Sequence, residues 1–298
     1  MDLYVKKAIN QAFILILASY LSGCAISPEA RFKRMAENLG IDARTIQGGP
    51  FRLRYLVRQG EASSKMLTIY LEGDGSPWAT ATRVSPEPTA REPVAFELMS
   101  RDTGNVIYLA RPCYHGLRDY PCRPWYWTHG RYSAAVVDSM VTAVESLTAS
   151  FPRVKAVRLV GHSGGGTLAM LMAEDLPQVN ELITIAANLD TEAWTTRHGY
   201  DRLAGSLNPA TRPLLPERIR QTHLFGDNDD NVPVELNMPF LLRQPHSLVA
   251  SIAGQGHQCC WSDLWPAVLA SLPVWPRFCA GMRLQSGGAA CTPLSGPL

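Results

Sequence analysis

The residues with the most chemical character stand in three places. Gly161-His162-Ser163-Gly164-Gly165-Gly166 has the form G-x-S-x-G. The apolar run Val157-Arg158-Leu159-Val160 leads into it, and a helical pattern from Thr167 to Leu176 follows. A serine on a tight strand-to-helix turn is forced outward with its Oγ exposed. Gly161 and Gly165 lack the side chains that would collide across such a turn. The amide of Gly164 opens the helix, where unpaired N–H groups and the helix dipole favour negative charge, so it can face a developing oxyanion. The competing reading of these residues is a glycine-rich turn that merely packs tightly.

A serine hydroxyl needs a base, and the base needs an orienting carboxylate. The second place is Gly226-Asp227-Asn228-Asp229-Asp230-Asn231-Val232-Pro233, after the apolar run His223-Leu224-Phe225. The third is Gly254-Gln255-Gly256-His257, after Leu248-Val249-Ala250-Ser251-Ile252. An acid among Asp227, Asp229 and Asp230, and His257, therefore stand at the carboxyl ends of predicted strands, where open α/β sheets bind their ligands. The other histidines read as structural or solvent-facing: His162 inside the turn, His223 within a strand, and His115, His129, His198 and His246 in loops or at strand starts.

The elements that must position these residues follow from periodicity. Residues 51–57 alternate like a half-exposed strand. Further strands are expected at 66–71, 106–110 and 182–186. Val136, Val137, Met140, Val141, Val144 and Leu147 repeat at helical spacing, which predicts an amphipathic helix over 132–149. A helix over 262–272, with Ser262 as its N-cap, closes the domain. Short apolar strands alternating with helices imply an α/β fold, a mostly parallel sheet covered on both faces. Residues 190–217 lack a strong period and read as an excursion over the sheet before the acid-bearing strand. Residues 24–50 read as a tether with a short helix, 51–275 as the domain, and 276–298 as a loose tail.

The chain order serine, acid, histidine resembles the α/β-hydrolase family, as does the acid segment, which is similar to that family's G-x-x-D-x-x-V-P pattern. Aligned on Gly226, Val232 and Pro233, the pattern implies Asp229 as the acid, with Asp230 and Asp227 as alternates. Gly256-His257 followed by Trp261 resembles the family's histidine loop. The resemblance spans roughly residues 51–272. It looks closest to a group of uncharacterised bacterial α/β-hydrolase lipoproteins, through Glu72-Gly73-Asp74-Gly75, Arg111-Pro112-Cys113, Tyr126-Trp127 and Gly256-His257-Gln258-Cys259-Cys260-Trp261. The resemblance implies that the second oxyanion amide comes from the loop after the strand at 66–71, at Asp74. The family commonly has His-Gly there. A carboxylate beside an oxyanion repels it unless paired or turned away, so Glu72 or Asp74 is expected to pair with a cation, Arg111 first.

Seven cysteines are present in 298 residues. Lys6 and Lys7, the apolar run from Ala12 to Ala18 and Leu21-Ser22-Gly23-Cys24 resemble a lipoprotein signal, with residues 1–23 removed and Cys24 lipidated. That implies export, a membrane anchor, and an envelope location, the outer membrane where the cell has one. In an oxidising compartment Cys113 and Cys122, bracketing a short loop, are a candidate disulfide. Cys259 and Cys260 are adjacent, so one of them is expected to pair elsewhere. Cys279 and Cys291 could close the tail. A metal site from His257, Cys259, Cys260, Cys113, His115 and Cys122 matches no standard zinc spacing. Trp125-Tyr126-Trp127 is expected to pack in the core sooner than to line an acyl pocket.

With 28 basic against 26 acidic residues, the net charge of +2 argues against a nucleic-acid partner, and 46% hydrophobic content against disorder. The expectation is a membrane-tethered serine hydrolase acting on a small-molecule or lipid ester, with no cofactor. The alternative is a non-catalytic lipoprotein of the same fold that binds a lipid or envelope component.

Overall fold

The computed structural model describes residues 27–61 and 64–272, and the backbone of two short strands further on. Cys24 and Cys279 lie outside the described residues. The chain begins with α1 (Pro28–Asn38), whose first turn is capped by Ser27. Then come β1 (Arg44–Gly48), β2 (Phe51–Arg58), β3 (Met66–Leu71), α2 (Val94–Arg101), β4 (Asn105–Leu109), α3 (Ala134–Ala149), β5 (Ala156–His162) and α4 (Gly164–Met172). β6 (Val179–Ile185), α5 (Thr191–His198), β7 (Arg220–Gly226), α6 (Met238–Leu241), β8 (Ser247–Ile252), α7 (Trp261–Ser271), β9 (Met282–Leu284) and β10 (Cys291–Pro293) complete it. The strands form one sheet in the order β1-β2-β4-β3-β5-β6-β7-β8-β9-β10. From β4 to β9 neighbours are parallel; β1–β2, β2–β4 and β9–β10 are antiparallel.

Two core layers explain the unbroken apolar strands. Leu67, Ile69 and Leu71 of β3 and Ile107 and Leu109 of β4 meet α3 and α4 on one face. The alternate residues Tyr70, Val106 and Tyr108 meet α1, α2 and α7 on the other. A strand buried on both faces has no polar side to expose. Each such aliphatic side chain contributes about 1.5–3 kcal/mol through burial. One polar link crosses the second layer: the Tyr70 hydroxyl donates to Asp102 (2.7 Å) and accepts from the Trp265 indole (2.9 Å).

Several elements differ from the sequence reading. α4 starts at Gly164 and not Thr167, because the glycines themselves form its first turn. α7 starts at Trp261, so Ser262 lies inside the helix and caps nothing. β1 and α2 were not foreseen, and the excursion contains α5. That helix is set by its ends: Asp190 accepts from the amides of Glu192 and Ala193, and Gly199 closes it at φ 62°. It buries only Thr191 and Thr195, so no apolar stripe announces it. Trp125-Tyr126-Trp127 sits in a short 3-10 turn. Trp127 is buried with its indole on the Ser85 carbonyl (3.1 Å), and Tyr126 packs edge-on against Phe51.

Cys113 and Cys122 are joined, with Cα atoms 5.5 Å apart. Cys259 and Cys260 are joined to each other, contrary to the expectation that one would pair elsewhere. The peptide between them is cis, which brings their Cα atoms to 3.2 Å, closer than the trans spacing of about 3.8 Å. His115 is also not solvent-facing. Phe32 of α1 covers it (ring centroids 4.1 Å), and burial pushes its imidazole down to about 3.

Candidate active site

β5 delivers Ser163 into a left-handed conformation (φ 51°, ψ −124°) that only the surrounding packing can hold. The Ser163 amide donates to the Ile185 carbonyl (2.8 Å), which ties the turn to β6. A Cβ on Gly161 would stand 2.3 Å from the Gly165 carbonyl oxygen, and one on Gly165 would stand 2.1 Å from that of Leu71. Those approaches admit no side chain, which accounts for both glycines.

The acid and the base arrive from β7 and β8. His257 Nδ1 lies 2.8 Å from Asp229 Oδ2, and its Nε2 lies 3.0 Å from Ser163 Oγ. With Nδ1–H donating to the carboxylate, Nε2 accepts from the serine hydroxyl. Asp229 is buried. Its Oδ1 takes the amides of Asn231 and Val232, both at 2.9 Å. Burial would raise this carboxyl, but the bond and charge of His257, with those amides, hold it below the ordinary carboxylate value. The two alternates stand elsewhere. Asp230 is exposed, and Asp227 accepts the Gly254 amide (2.7 Å) in a turn. The histidine loop is braced by the Cys259–Cys260 bridge, by Gln255 accepting the Cys260 amide (2.8 Å), and by the Trp261 indole on the Gly256 carbonyl (3.0 Å).

Asp74 is placed beside the nucleophile. Its backbone amide and that of Gly164 have no hydrogen-bond partner among the described residues. Its side chain touches Gly164, for a Cβ there would lie 2.1 Å from Asp74 Oδ1. The carboxylate is nevertheless paired on both oxygens. Arg111 binds Oδ1, as expected; Arg131 (2.8 Å) and the Tyr132 hydroxyl (2.7 Å) bind Oδ2. Burial alone would raise this carboxyl; Arg131 and Arg111 outweigh it and hold it well below the usual carboxylate range. The Tyr114 hydroxyl donates to the Asp74 carbonyl (2.9 Å) and orients the peptide.

Glu72 does not pair with Arg111. It is buried against the start of α2, where it accepts from the amides of Gly73 (3.1 Å), Ala95 (3.4 Å) and Phe96 (3.4 Å). Burial outweighs these bonds and raises it to about 7. His162 stands 3.9 Å away, but burial lowers its imidazole to about 3, so the two make no ion pair near neutrality. The His162 Nε2–H donates to the His257 carbonyl (2.7 Å), a structural role for the residue inside the turn. His223 likewise sits neutral in the core, lowered to about 3 by burial, with Nδ1 2.8 Å from Thr184 Oγ1.

Three participants were not found from sequence. Arg131 and Tyr132 precede α3. A cation just before a helix N-terminus opposes the dipole, and that was the available signal for a missing anion. Asn231 Nδ2 lies 3.1 Å from His257 Nε2, and Asn231 Oδ1 accepts from the Trp194 indole of α5 (3.3 Å), which links the excursion to the base. An asparagine near an acidic turn is ordinary turn chemistry, so it gave no signal. Ser163, His257, Asp74, Arg131 and Asn231 line a cleft of about 880 Å³. Chemically the arrangement offers an outward oxygen nucleophile, a base oriented by a buried carboxylate, and two amides free to receive negative charge.

No family model matches the sequence, and no curated protein matches it. Solved structures do. Est1E from Butyrivibrio proteoclasticus superposes with a TM-score of 0.52 at 16% identity, covering 78% of this chain and 98% of that one. The esterase PF2001 of Pyrococcus furiosus gives 0.57 at 12%, over 80% and 92%. A bacterial membrane phospholipase A gives 0.50 at 16%, over 90% and 99%. Sheet order, serine turn and these superpositions agree: the chain has the α/β-hydrolase fold.

Proposed function

We propose that the protein is a serine hydrolase that cleaves a carboxylic ester or similar acyl bond, held at a membrane through a lipid on Cys24. Ser163 Oγ attacks the carbonyl carbon while His257 Nε2 takes its proton. The amides of Gly164 and Asp74 receive the oxyanion. His257 then protonates the leaving oxygen, and Asp229 keeps the imidazole in the required tautomer. Water, deprotonated by His257, breaks the acyl-serine bond and restores the hydroxyl. The observation that carries this reading is the unbroken string Ser163–His257–Asp229, at 3.0 and 2.8 Å. Superposition on proteins named as esterases supports it. The tether rests on the Leu21-Ser22-Gly23-Cys24 sequence.

Fluorophosphonate labelling of the full chain tests the chemistry. The wild type is expected to be labelled, and Ser163→Ala to lose all labelling while melting as the wild type does. A folded wild type that takes no label would return the protein to the ligand-binding alternative.

A further inference from the structure

A long acyl chain is recognised by aliphatic surface, since each buried methylene contributes about 0.8 kcal/mol. Among the described residues lining the cleft, Leu203 is the one large aliphatic side chain. Among the larger remaining side chains two kinds stand out. Trp78 and Tyr200 line the cleft and are large ring residues, 39% and 56% exposed. Neither hangs free. Trp78 leans edge-on against His129 (6.1 Å), and Tyr200 stacks on His198 (5.2 Å, 17°) and abuts Trp194 (5.3 Å). The same lining carries exposed charged groups of both signs, Arg91, Glu92 and Asp201, and the amide of Gln258.

Preset aromatic faces beside mixed donors and acceptors match a molecule that is apolar on its faces and hydroxylated at its edge. A pyranose ring has that form: its axial C–H groups lie on aromatic rings, and its equatorial hydroxyls reach charged and amide side chains. An alkyl alcohol would engage none of the exposed polar groups, and a flat aryl alcohol would use the rings alone. The cleft volume, in the upper part of the range of about 300–1,000 Å³ for small-molecule sites, leaves room for more than one sugar unit.

We infer that the substrate is a short-chain acyl ester of a carbohydrate, with Trp78 and Tyr200 as its ring platforms; this rests on the hydrolase reading and narrows it. In the reaction Ser163 Oγ bonds to the acyl carbon, and the bond from that carbon to the sugar oxygen breaks. The sugar leaves as an alcohol carrying the proton that His257 took from the serine. Water then releases the short carboxylic acid.

The experiment compares kcat/KM of the full chain in detergent for three unactivated acetates of primary alcohols. These are methyl glucoside acetylated on its primary hydroxyl, cyclohexylmethyl acetate and benzyl acetate. Para-nitrophenyl acetate and palmitate compare acyl length. The sugar acetate is expected to lead the other two by about tenfold, and the acetate to exceed the palmitate. Trp78→Ala and Tyr200→Ala are each expected to lower the ratio of sugar acetate to cyclohexylmethyl acetate by about fivefold, the scale of one aromatic contact. Trp78→Phe, which keeps a ring, should recover most of that ratio. Tyr200 is exposed enough that its loss leaves folding intact. Equal rates on the three acetates, a preference for palmitate, or ratios indifferent to both rings would overturn the substrate class while leaving the hydrolase standing. No hydrolysis of any ester, together with no fluorophosphonate labelling of Ser163, would overturn both.

Discussion

Two carboxyl groups one glycine apart, Glu72 and Asp74, occupy neighbouring pockets behind the nucleophile and are driven in opposite directions. Glu72 is offered only backbone amides at the start of α2, at 3.1 to 3.4 Å, and burial raises it to about 7. Asp74 is offered two guanidinium groups and a phenol, and stays ionised. The difference teaches what compensates a sequestered carboxylate: three amide dipoles do not offset its desolvation, and two full charges do. Both pockets reach one electrostatic end. At pH 7 Glu72, raised to about 7, carries its proton about half of the time, and Asp74 is covered by arginines. Below neutrality the place where an oxyanion would develop is thereby spared a repelling neighbour. In the Asp74 pocket one carboxylate lies between two arginines, which leaves a net positive charge close to the Gly164 amide.

The largest way to break this comparison is Asp74→Asn. It leaves Arg111 and Arg131 buried beside each other without an anion, and removing one partner of a buried pair costs about 3–5 kcal/mol. Urea unfolding at pH 7 under non-reducing conditions should show that loss; a change below about 1 kcal/mol would mean the cluster is not electrostatically coupled. The carboxyl of Asp74 is depressed in the fold, so its contribution is full above the ordinary carboxylate value near 3.8. It disappears only as pH falls further, and the gap between variant and wild type should persist down to that acidity.

Glu72→Gln comes next and has the opposite sign. The folded chain holds a proton on Glu72 that the unfolded chain releases, so stability falls as pH rises from about 4.5 to about 7. The glutamine keeps an acceptor for the α2 amides and cannot ionise. At pH 8 the variant should be more stable than the wild type by about 2–3 kcal/mol, with the advantage vanishing near pH 4.5. Unfolding curves across that window check it, and a pH-independent difference would overturn the assignment. The smallest effect is expected from Tyr132→Phe. It removes one of three donors on Asp74 and should cost about 1 kcal/mol in the same measurement, because both arginines remain.

How much of this was legible depended on distance along the chain. β3 was readable to the residue as 66–71, because a strand covered on both faces is an unbroken apolar run. Helix α5 was not, since its caps at Asp190 and Gly199 define it while its buried face holds two threonines. His115 looked like a loop histidine because Phe32, which covers it, belongs to a helix eighty-odd residues earlier. The Cys259–Cys260 pairing was not legible for a different reason: nothing in the sequence marks the peptide between these adjacent residues as cis, as the fold holds it.

The sequence by itself determined the local devices. Gly161 and Gly165 lie within five residues, and a Cβ at Gly161 would meet the Gly165 carbonyl across one turn, whereas the contact that excludes a Cβ at Gly165 is the Leu71 carbonyl of β3. The strand and helix runs are likewise set by side-chain periodicity over a few residues. The family pattern already points to Asp229 among the three aspartates, and only the tertiary structure supplied the reason. That carboxylate takes the Asn231 and Val232 amides while facing His257, 28 residues onward. The tertiary structure also decided the fate of Asp74, whose partners Arg131 and Tyr132 lie 57 and 58 residues away. Such pairings are set by how the layers pack, because a buried charge settles wherever the packed chain brings it a counter-charge.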